Sequence, residues 1–481
     1  MMRPHIVLRY IGLVLLFNSL FLFISAVISA LNNDSALSAL LYSGTVSTLF
    51  GLFPIIFVPA AADISKDEGL LIVIASWLLC CVIGSLPYIL WDGAFSFTDA
   101  WFESVSGFTT TGSSIINNIE ALPMGLLFWR ASTHWIGGIG IIIFMLALLP
   151  AIGRATMILY QTEIAPLAKD NFQYRTKKSL QILLVVYIGL TILETLALWA
   201  CKMSLFDAVT HAFATIATGG FSTKNTSIAY FNSLAVESVI MVFMVLSGMH
   251  FGLLFLAVTG NLRKAVKSAV LRYYLAALGV GWILITLDIR FRMDLGWGQA
   301  LRQGGFQLLS LGTSTGFASA DSNPWPGLAK LVLIFFSLQC ACSGSTSGGI
   351  KTDRLFIFLK SLTIQFRKLR HPKAVIIMKI DDNTIDQEIV QSSNLYLVSY
   401  LAVVFLTTLI LTGLGVDLMS AFSAAVATTG NVGPGFGMVS SLGNFSQIPD
   451  LGKWTLSFSM LIGRLEIYSF FLFLTYRFRS R

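Results

Sequence analysis

The sequence predicts an all-α protein that crosses a membrane many times, and three observations carry that prediction. Of the 481 residues, 55% are hydrophobic and 12% charged, about half the charged share of an ordinary soluble domain. Apolar stretches close to the roughly 20 residues needed to cross hydrocarbon recur along the whole chain. Between them lie runs of glycine and small hydroxyl residues such as SVSGFTTTGSS, residues 104–114, too short to cross and too polar to face lipid.

Ten candidate spans follow in order: residues 11–31, 43–62, 70–91, 126–149, 180–200, 236–258, 273–289, 328–342, 395–414 and 455–476. The first is long enough to span and lacks a small-residue cleavage site, so it is expected to stay as an anchored helix. The eighth is short and runs into glycine. Basic residues set the orientation, because they accumulate on cytoplasmic loops. Arg3 and Arg9 precede the first span; Arg154, Lys169, Arg175, Lys177 and Lys178 follow the fourth; Arg263, Lys264, Lys267 and Arg272 follow the sixth. A cluster over 351–379 follows the eighth, and Arg477, Arg479 and Arg481 close the chain. With alternating spans all of these share one side, which places both termini in the cytoplasm. The net charge of +8 is then a topology signal; cations dispersed among loops do not form a nucleic-acid-binding face. Cys80, Cys81, Cys201, Cys340 and Cys342 sit in or beside apolar segments, without the spacing of a disulfide framework or a zinc site, and read as small buried hydrophobes.

The polar runs repeat. Aligned, AWFESVSGFTTTGSS from Ala100, AVTHAFATIATGGFS from Ala208, GGFQLLSLGTSTGFA from Gly304 and AFSAAVATTGNVGPG from Ala421 each carry glycine at the thirteenth place: Gly112, Gly220, Gly316 and Gly433. Each begins with a helix-compatible run of about ten residues, too short to cross, and each lies between two spans. The unit is span, re-entrant short helix, polar glycine turn, span. Non-helical backbone at membrane depth is tolerated where it lines a cavity inside the protein. Four such turns around a pseudo-fourfold axis would present a ring of carbonyl dipoles able to replace the hydration shell of a monovalent cation. The negative ends of the four short helices would favour the same charge. Glycine suits the key position because it reaches backbone angles that turn carbonyls inward and has no side chain to plug the hole. Close helix packing by small residues also explains one such loop, but not four in register.

Beyond the windows, the eighth span breaks in CSGSTSGGIK. Gly344, Ser345, Thr346, Ser347, Gly348 and Gly349 cannot easily continue a helix in lipid, and a flexible polar loop below the carbonyl ring could occlude the path and move aside. A kink adapting to neighbouring helices is the plainer alternative. Arg464, mid-span in SMLIGRLEIY, is a cation inside the membrane and a functional suspect, placed either to set a barrier or to hydrogen-bond the broken loop. Glu466, two residues on, points elsewhere on a helix. Asp99, Asp207 and Asp417 precede the re-entrant helices, where carboxylates suit the N-terminus. The role of Glu194, inside the fifth span, is left open.

These windows, with CSGSTSGGIKTDR at 342–354, GNVGPGFG at 430–437 and MLIGRLEIY at 460–468, resemble the Trk/Ktr/HKT superfamily of potassium transporters, nearest its bacterial TrkH/TrkG branch. The resemblance covers nearly the whole chain, including two extra spans at the start. It implies a single chain imitating a tetrameric potassium channel, with an N-terminal helix pair over 1–65 and repeats over 66–165, 166–265, 266–385 and 386–481. It implies filter strands at Thr110, Thr111 and Gly112; Thr218, Gly219 and Gly220; Ser314, Thr315 and Gly316; and Asn431, Val432 and Gly433. It assigns the segment from Gly344 as an intramembrane gate with Arg464 beside it. Plant relatives with serine at the first filter glycine carry sodium; Gly112 makes K+ the expected cargo, with a sodium or non-selective monovalent cation transporter as the alternative. Also implied are a homodimer in the bacterial inner membrane and a TrkA-type cytoplasmic nucleotide-binding regulatory subunit; the basic cluster offers a surface for that subunit or for anionic lipid.

No enzyme is expected, and no organic cofactor. A nucleophile at Ser345 would need a base, and the only later histidine, His371, lies in a basic loop. His134, His211 and His250 lack metal-ligand spacing, and no phosphate-binding loop is present.

Overall fold

A computed structural model describes residues 3–59, 64–148, 172–374, 376–381 and 383–465. The chain is almost wholly helical: α1 Pro4–Asn32, α2 Leu37–Phe57, α3 Lys66–Leu90, α4 Phe97–Phe108, α5 Met124–Leu148, α6 Phe172–Ala200, α7 Leu205–Ile216, α8 Leu234–Gly248, α9 Phe251–Val258, α10 Leu262–Lys267, α11 Ala269–Arg292, α12 Trp297–Gly312, α13 Gly327–Gln339, α14 Thr352–Arg370, α15 Gln387–Gly413, α16 Leu418–Thr429 and α17 Asp450–Arg464. A minimal hairpin, β1 Lys379–Ile380 with β2 Asn383–Thr384, pairs antiparallel between α14 and α15. Among the described residues six helices are long and apolar enough to cross a membrane, or seven if the bent pair α8–α9 is one span.

Local chemistry fixes where helices start. A capping box opens α3: Glu68 N–H donates to Ser65 Oγ, and the Glu68 carboxylate accepts from Ser65 N–H. Arg3 forks onto the same carboxylate and ties the start of α1 to α3. The α1–α2 hairpin closes on small residues; a methyl on Gly12 would lie 2.6 Å from the Gly51 carbonyl oxygen, the close backbone approach that binds helices in lipid. Large aliphatic and aromatic side chains such as Phe53, Ile56, Ile283, Phe405 and Leu409 point outward, as on a surface covered by lipid, while serines, threonines and charged groups are buried inside.

The four short helices α4, α7, α12 and α16 fall in the four predicted windows, each after a long helix (α3, α6, α11 and α15) and before a further helix, α5, α8, α13 or α17. Ser96 and Ser204 cap the first two and Asp417 the fourth; the third starts from Gly296. Asp99 and Asp207 therefore lie inside the first helical turn, not before it, and each donates its own backbone N–H to the Oγ of its serine cap.

Several predicted spans need correction. The sixth, 236–258, is not one helix: α8 and α9 meet at 108°. Met249 is extended, and His250 caps α9 by accepting the Gly252 N–H at Nδ1; Phe251 N–H goes to the Gly344 carbonyl of the broken loop, and Cys342 N–H to the Gly248 carbonyl. Apolar composition concealed this break because both halves are hydrophobic. The eighth span stops at Gln339, so Cys340 and Cys342 lie in the break. Most of the 351–379 cluster is the helix α14, with Arg367, Lys368 and Arg370 in its last turn. Arg9 lies within α1, where its guanidinium donates to the carbonyls of Ile55 and Val58. Arg154, Lys169, Glu466, Arg477, Arg479, Arg481 and the ends of the second, fourth and tenth predicted spans lie outside the described residues.

Candidate functional site

Each short helix ends the same way. One residue past the C-cap, the chain enters the left-handed region at Thr110 (φ 53°), Thr218 (55°), Ser314 (57°) and Asn431 (52°). Two residues later it does so again, at Gly112 (82°), Gly220 (80°), Gly316 (83°) and Gly433 (100°). The first left-handed residue closes the helix: Thr110 N–H donates to the Gly107 carbonyl and Thr111 N–H to that of Ser106, at 3.0 and 2.9 Å. The same pair recurs at Thr218 and Gly219, at Ser314 and Thr315, and at Asn431 and Val432. This is a Schellman closure made with Thr, Ser and Asn in place of the usual glycine, at a cost of about 1–2 kcal/mol per left-handed non-glycine residue.

That closure accounts for the N–H groups and leaves the carbonyls. Among the described residues no backbone N–H donates to the carbonyl oxygens of Thr110, Thr111, Thr218, Gly219, Ser314, Thr315, Asn431 or Val432, although these windows are buried. Buried carbonyls are nearly always satisfied, so eight oxygens that the backbone leaves over in four equivalent places mark a candidate site.

The glycines close a ring. A methyl on Gly112 would lie 2.0 Å from the Gly219 carbonyl oxygen, one on Gly220 2.1 Å from that of Thr315, one on Gly316 2.1 Å from that of Val432, and one on Gly433 2.6 Å from that of Thr111. The four windows thus meet one another in chain order and return to the first. No side chain fits at any of the four, and the positive φ independently favours glycine. All twelve residues singled out in these windows therefore come together.

Side chains lash the windows from behind. Glu103 of α4 and Arg130 of α5 form a buried pair at 2.7 Å; Glu103 also accepts from Ser114 Oγ and Ile115 N–H, and Arg130 donates to the Ser222 carbonyl. His134 spans from the Gly107 carbonyl to Phe221 N–H. Ser113 Oγ donates to the Gly433 carbonyl at 3.0 Å, and Asn431 Nδ2 to Thr111 Oγ1 at 2.9 Å. Sequence reasoning missed Glu103 and Arg130 and set His134 aside as scattered. The available signal was an ionisable residue inside an apolar run, which marks all three. Asp417 caps the N-terminus of α16, where hydrogen bonds from Ser420 hold its carboxyl below the usual carboxylate range. Glu194 is fully buried in α6.

The broken segment between α13 and α14 lies against the helix ends of these windows. Thr346 and Ser347 are 0% and 1% exposed. Thr346 Oγ1 donates to the Ile216 carbonyl at 2.8 Å; Ser314 Oγ donates to Ser347 Oγ at 2.9 Å and accepts from Gly348 N–H at 3.1 Å. A methyl on Gly348 would meet the Gly430 carbonyl oxygen at 2.3 Å. Gly344 packs on the His250 ring, Ser345 Oγ donates to the Cys342 carbonyl, and Gly349 abuts Cys340. Arg464, 2% exposed, donates from Nη1 to the Thr346 carbonyl at 2.7 Å and from Nη2 to the Gly137 carbonyl at 3.2 Å. The segment thereby touches the second, third and fourth windows directly. Through Arg464 it reaches Gly137, which packs on the Phe108 carbonyl at the end of α4. The expected contact between Arg464 and the broken loop is present, and among the described residues Arg464 pairs with no carboxylate.

Residues 60–478 match a family described as "TrkH: Cation transport protein". The Trk system potassium uptake protein TrkH of Halomonas elongata is 34% identical over 474 residues, covering 97% of this chain and 98% of that protein. The Trk system potassium uptake protein TrkG of Escherichia coli K12 is 32% identical over 412 residues, 83% of each chain. The crystal structure of the potassium transporter TrkH from Vibrio parahaemolyticus superposes with a TM-score of 0.90 at 31% identity, covering 98% of this chain and 99% of that one.

Proposed function

Because the chain belongs to the TrkH family of cation transport proteins, a family of transporters and not of enzymes, we propose that it takes up potassium through the ring formed by its four glycine windows. The observation that carries the reading is the closed circuit of Gly112, Gly220, Gly316 and Gly433, with buried carbonyls that no backbone N–H reaches. Carbonyl dipoles held in place exchange for the water around a dehydrating K+ without the reorganisation that a flexible site would need. The C-termini of α4, α7, α12 and α16 add their negative ends. K+ is the cargo, and the ring involves no covalent chemistry.

The segment holding Gly344, Ser345, Thr346, Ser347, Gly348 and Gly349 acts as the gate of this path, with Arg464 as its latch. Its contacts with three windows support a closed position, and its glycines supply hinges. The chain lies in the bacterial inner membrane with both termini cytoplasmic, as its basic loops favour. It works as a homodimer with a TrkA-type nucleotide-binding subunit seated against α14 and the neighbouring basic loops; the relatives' names, which speak of a Trk system, support a multi-component assembly. The division into a helix pair over 1–65 and four repeats over 66–165, 166–265, 266–385 and 386–481 completes the proposal.

Rubidium uptake by cells lacking their own potassium uptake tests it. Cells expressing the chain should accumulate rubidium in preference to sodium, and Gly112→Ser should shift the preference toward sodium. Preferential sodium uptake by the unaltered chain would replace this reading with a sodium or non-selective transporter.

A further inference from the structure

We propose that His134 is a positioning residue that fixes the direction of the Gly220 carbonyl and so sets cation discrimination in the second window. The inference rests on the reading of the glycine ring as the ion site, and goes beyond it by naming what holds one of its oxygens. His134 lies on α5, outside the windows, and is fully buried. Its Nδ1 stands 2.8 Å from the Gly107 carbonyl oxygen, which can only accept, so Nδ1 carries the proton. Its Nε2 is therefore an acceptor, and Phe221 N–H donates to it at 3.1 Å. The Phe221 N–H and the Gly220 carbonyl belong to one planar trans peptide and point in opposite directions. Holding the N–H toward α5 turns the carbonyl away from α5, toward the neighbouring windows.

The clamp is tight on every side. The imidazole stacks on the Phe221 ring with centroids 4.0 Å apart and planes at 22°. The Arg130 guanidinium covers the same ring at 3.5 Å, fixed in turn by Glu103 and by the Ser222 carbonyl. A methyl on Gly219 would strike the imidazole at 2.5 Å, so the strand before Gly220 presses against it too. The other three windows are held differently. The fourth has Pro434 after its glycine and no N–H to hold, while Ser113 Oγ holds the Gly433 carbonyl directly. Among the described residues no side chain accepts the corresponding N–H of Ser113 or Phe317. Without the imidazole, the Gly220–Phe221 peptide is free to rotate, which would replace a carbonyl oxygen facing the ion with an N–H that repels it.

The test uses the full chain in potassium-uptake-deficient cells, reading rubidium uptake against concentration with and without competing sodium, per amount of protein in the membrane. His134→Leu removes both hydrogen bonds. It should raise the half-saturating rubidium concentration roughly fivefold, the size expected for one hydrogen bond, and let sodium compete, with the maximal rate per protein little changed. His134→Gln keeps one donor and one acceptor at similar reach and should restore most of the discrimination. A His134→Leu variant that loses only membrane protein or maximal rate, with half-saturation and sodium competition unchanged, overturns the assignment. So does a His134→Gln variant as impaired as His134→Leu. Gly112→Ser is run in parallel: if it too leaves the sodium preference unchanged, the ring reading has failed; if it alone changes it, only the role of His134 has failed.

Discussion

At Arg464 a single side chain joins two parts of the protein that are far apart in the chain. Its guanidinium reaches the Thr346 carbonyl in the broken segment and the Gly137 carbonyl beside α4, and a charge-assisted hydrogen bond in such a place contributes about 1.5–3 kcal/mol. If the segment is the gate, Arg464→Gln should shift its equilibrium toward open by roughly tenfold or more. Basal rubidium efflux from proteoliposomes without any regulatory partner should rise accordingly. Efflux equal to that of the unaltered protein, with the same amount of inserted chain, would remove Arg464 from the latch. The importance of this arginine was legible in the sequence because a cation in the middle of an apolar run stands out. So were the four glycines, whose register repeats. What could not be read was the pairing of Glu103 with Arg130: each stands out in its apolar run as an isolated ionisable residue, and only folding brings them to 2.7 Å. His134 had the same difficulty, since its meaning lies in two backbone groups that sequence does not display.

Helices were legible as far as hydropathy tracks them. Most of the long spans and the four short helices fall where apolar runs put them, with serine or aspartate caps at three of the short helices and Gly296 at the other. The bend between α8 and α9 was not visible, because a break inside a uniformly apolar stretch costs no hydropathy; its cause is a partner elsewhere, the 340–351 segment, which pairs with both sides of it. The break between α13 and α14 was visible because its glycines and hydroxyls are. Cys340 (φ 53°) and Lys351 (φ 75°) take positive φ at its two ends, a strain typical of functional segments. Deleting residues 344–349 should leave a chain that inserts normally and conducts rubidium continuously. Unchanged or abolished flux in an inserted protein would mean that the segment is structural packing and not a gate.

Taken whole, the molecule exposes aromatic rings and aliphatic branches on its outside and buries hydroxyls, a carboxylate–guanidinium pair and carbonyls that no backbone N–H reaches within an otherwise apolar core. Helix chemistry explains these carbonyls. Each short helix takes back the N–H groups of its own terminus and leaves the opposite side of each peptide for something else. A cation is the chemical entity that such a ring accepts. A crystal of the full chain grown with rubidium tests this most directly, because the ion's anomalous scattering marks its place without reference to the protein model. Peaks on the axis enclosed by Gly112, Gly220, Gly316 and Gly433 are the predicted result; rubidium absent from that axis, or bound only at surface carboxylates, would contradict it.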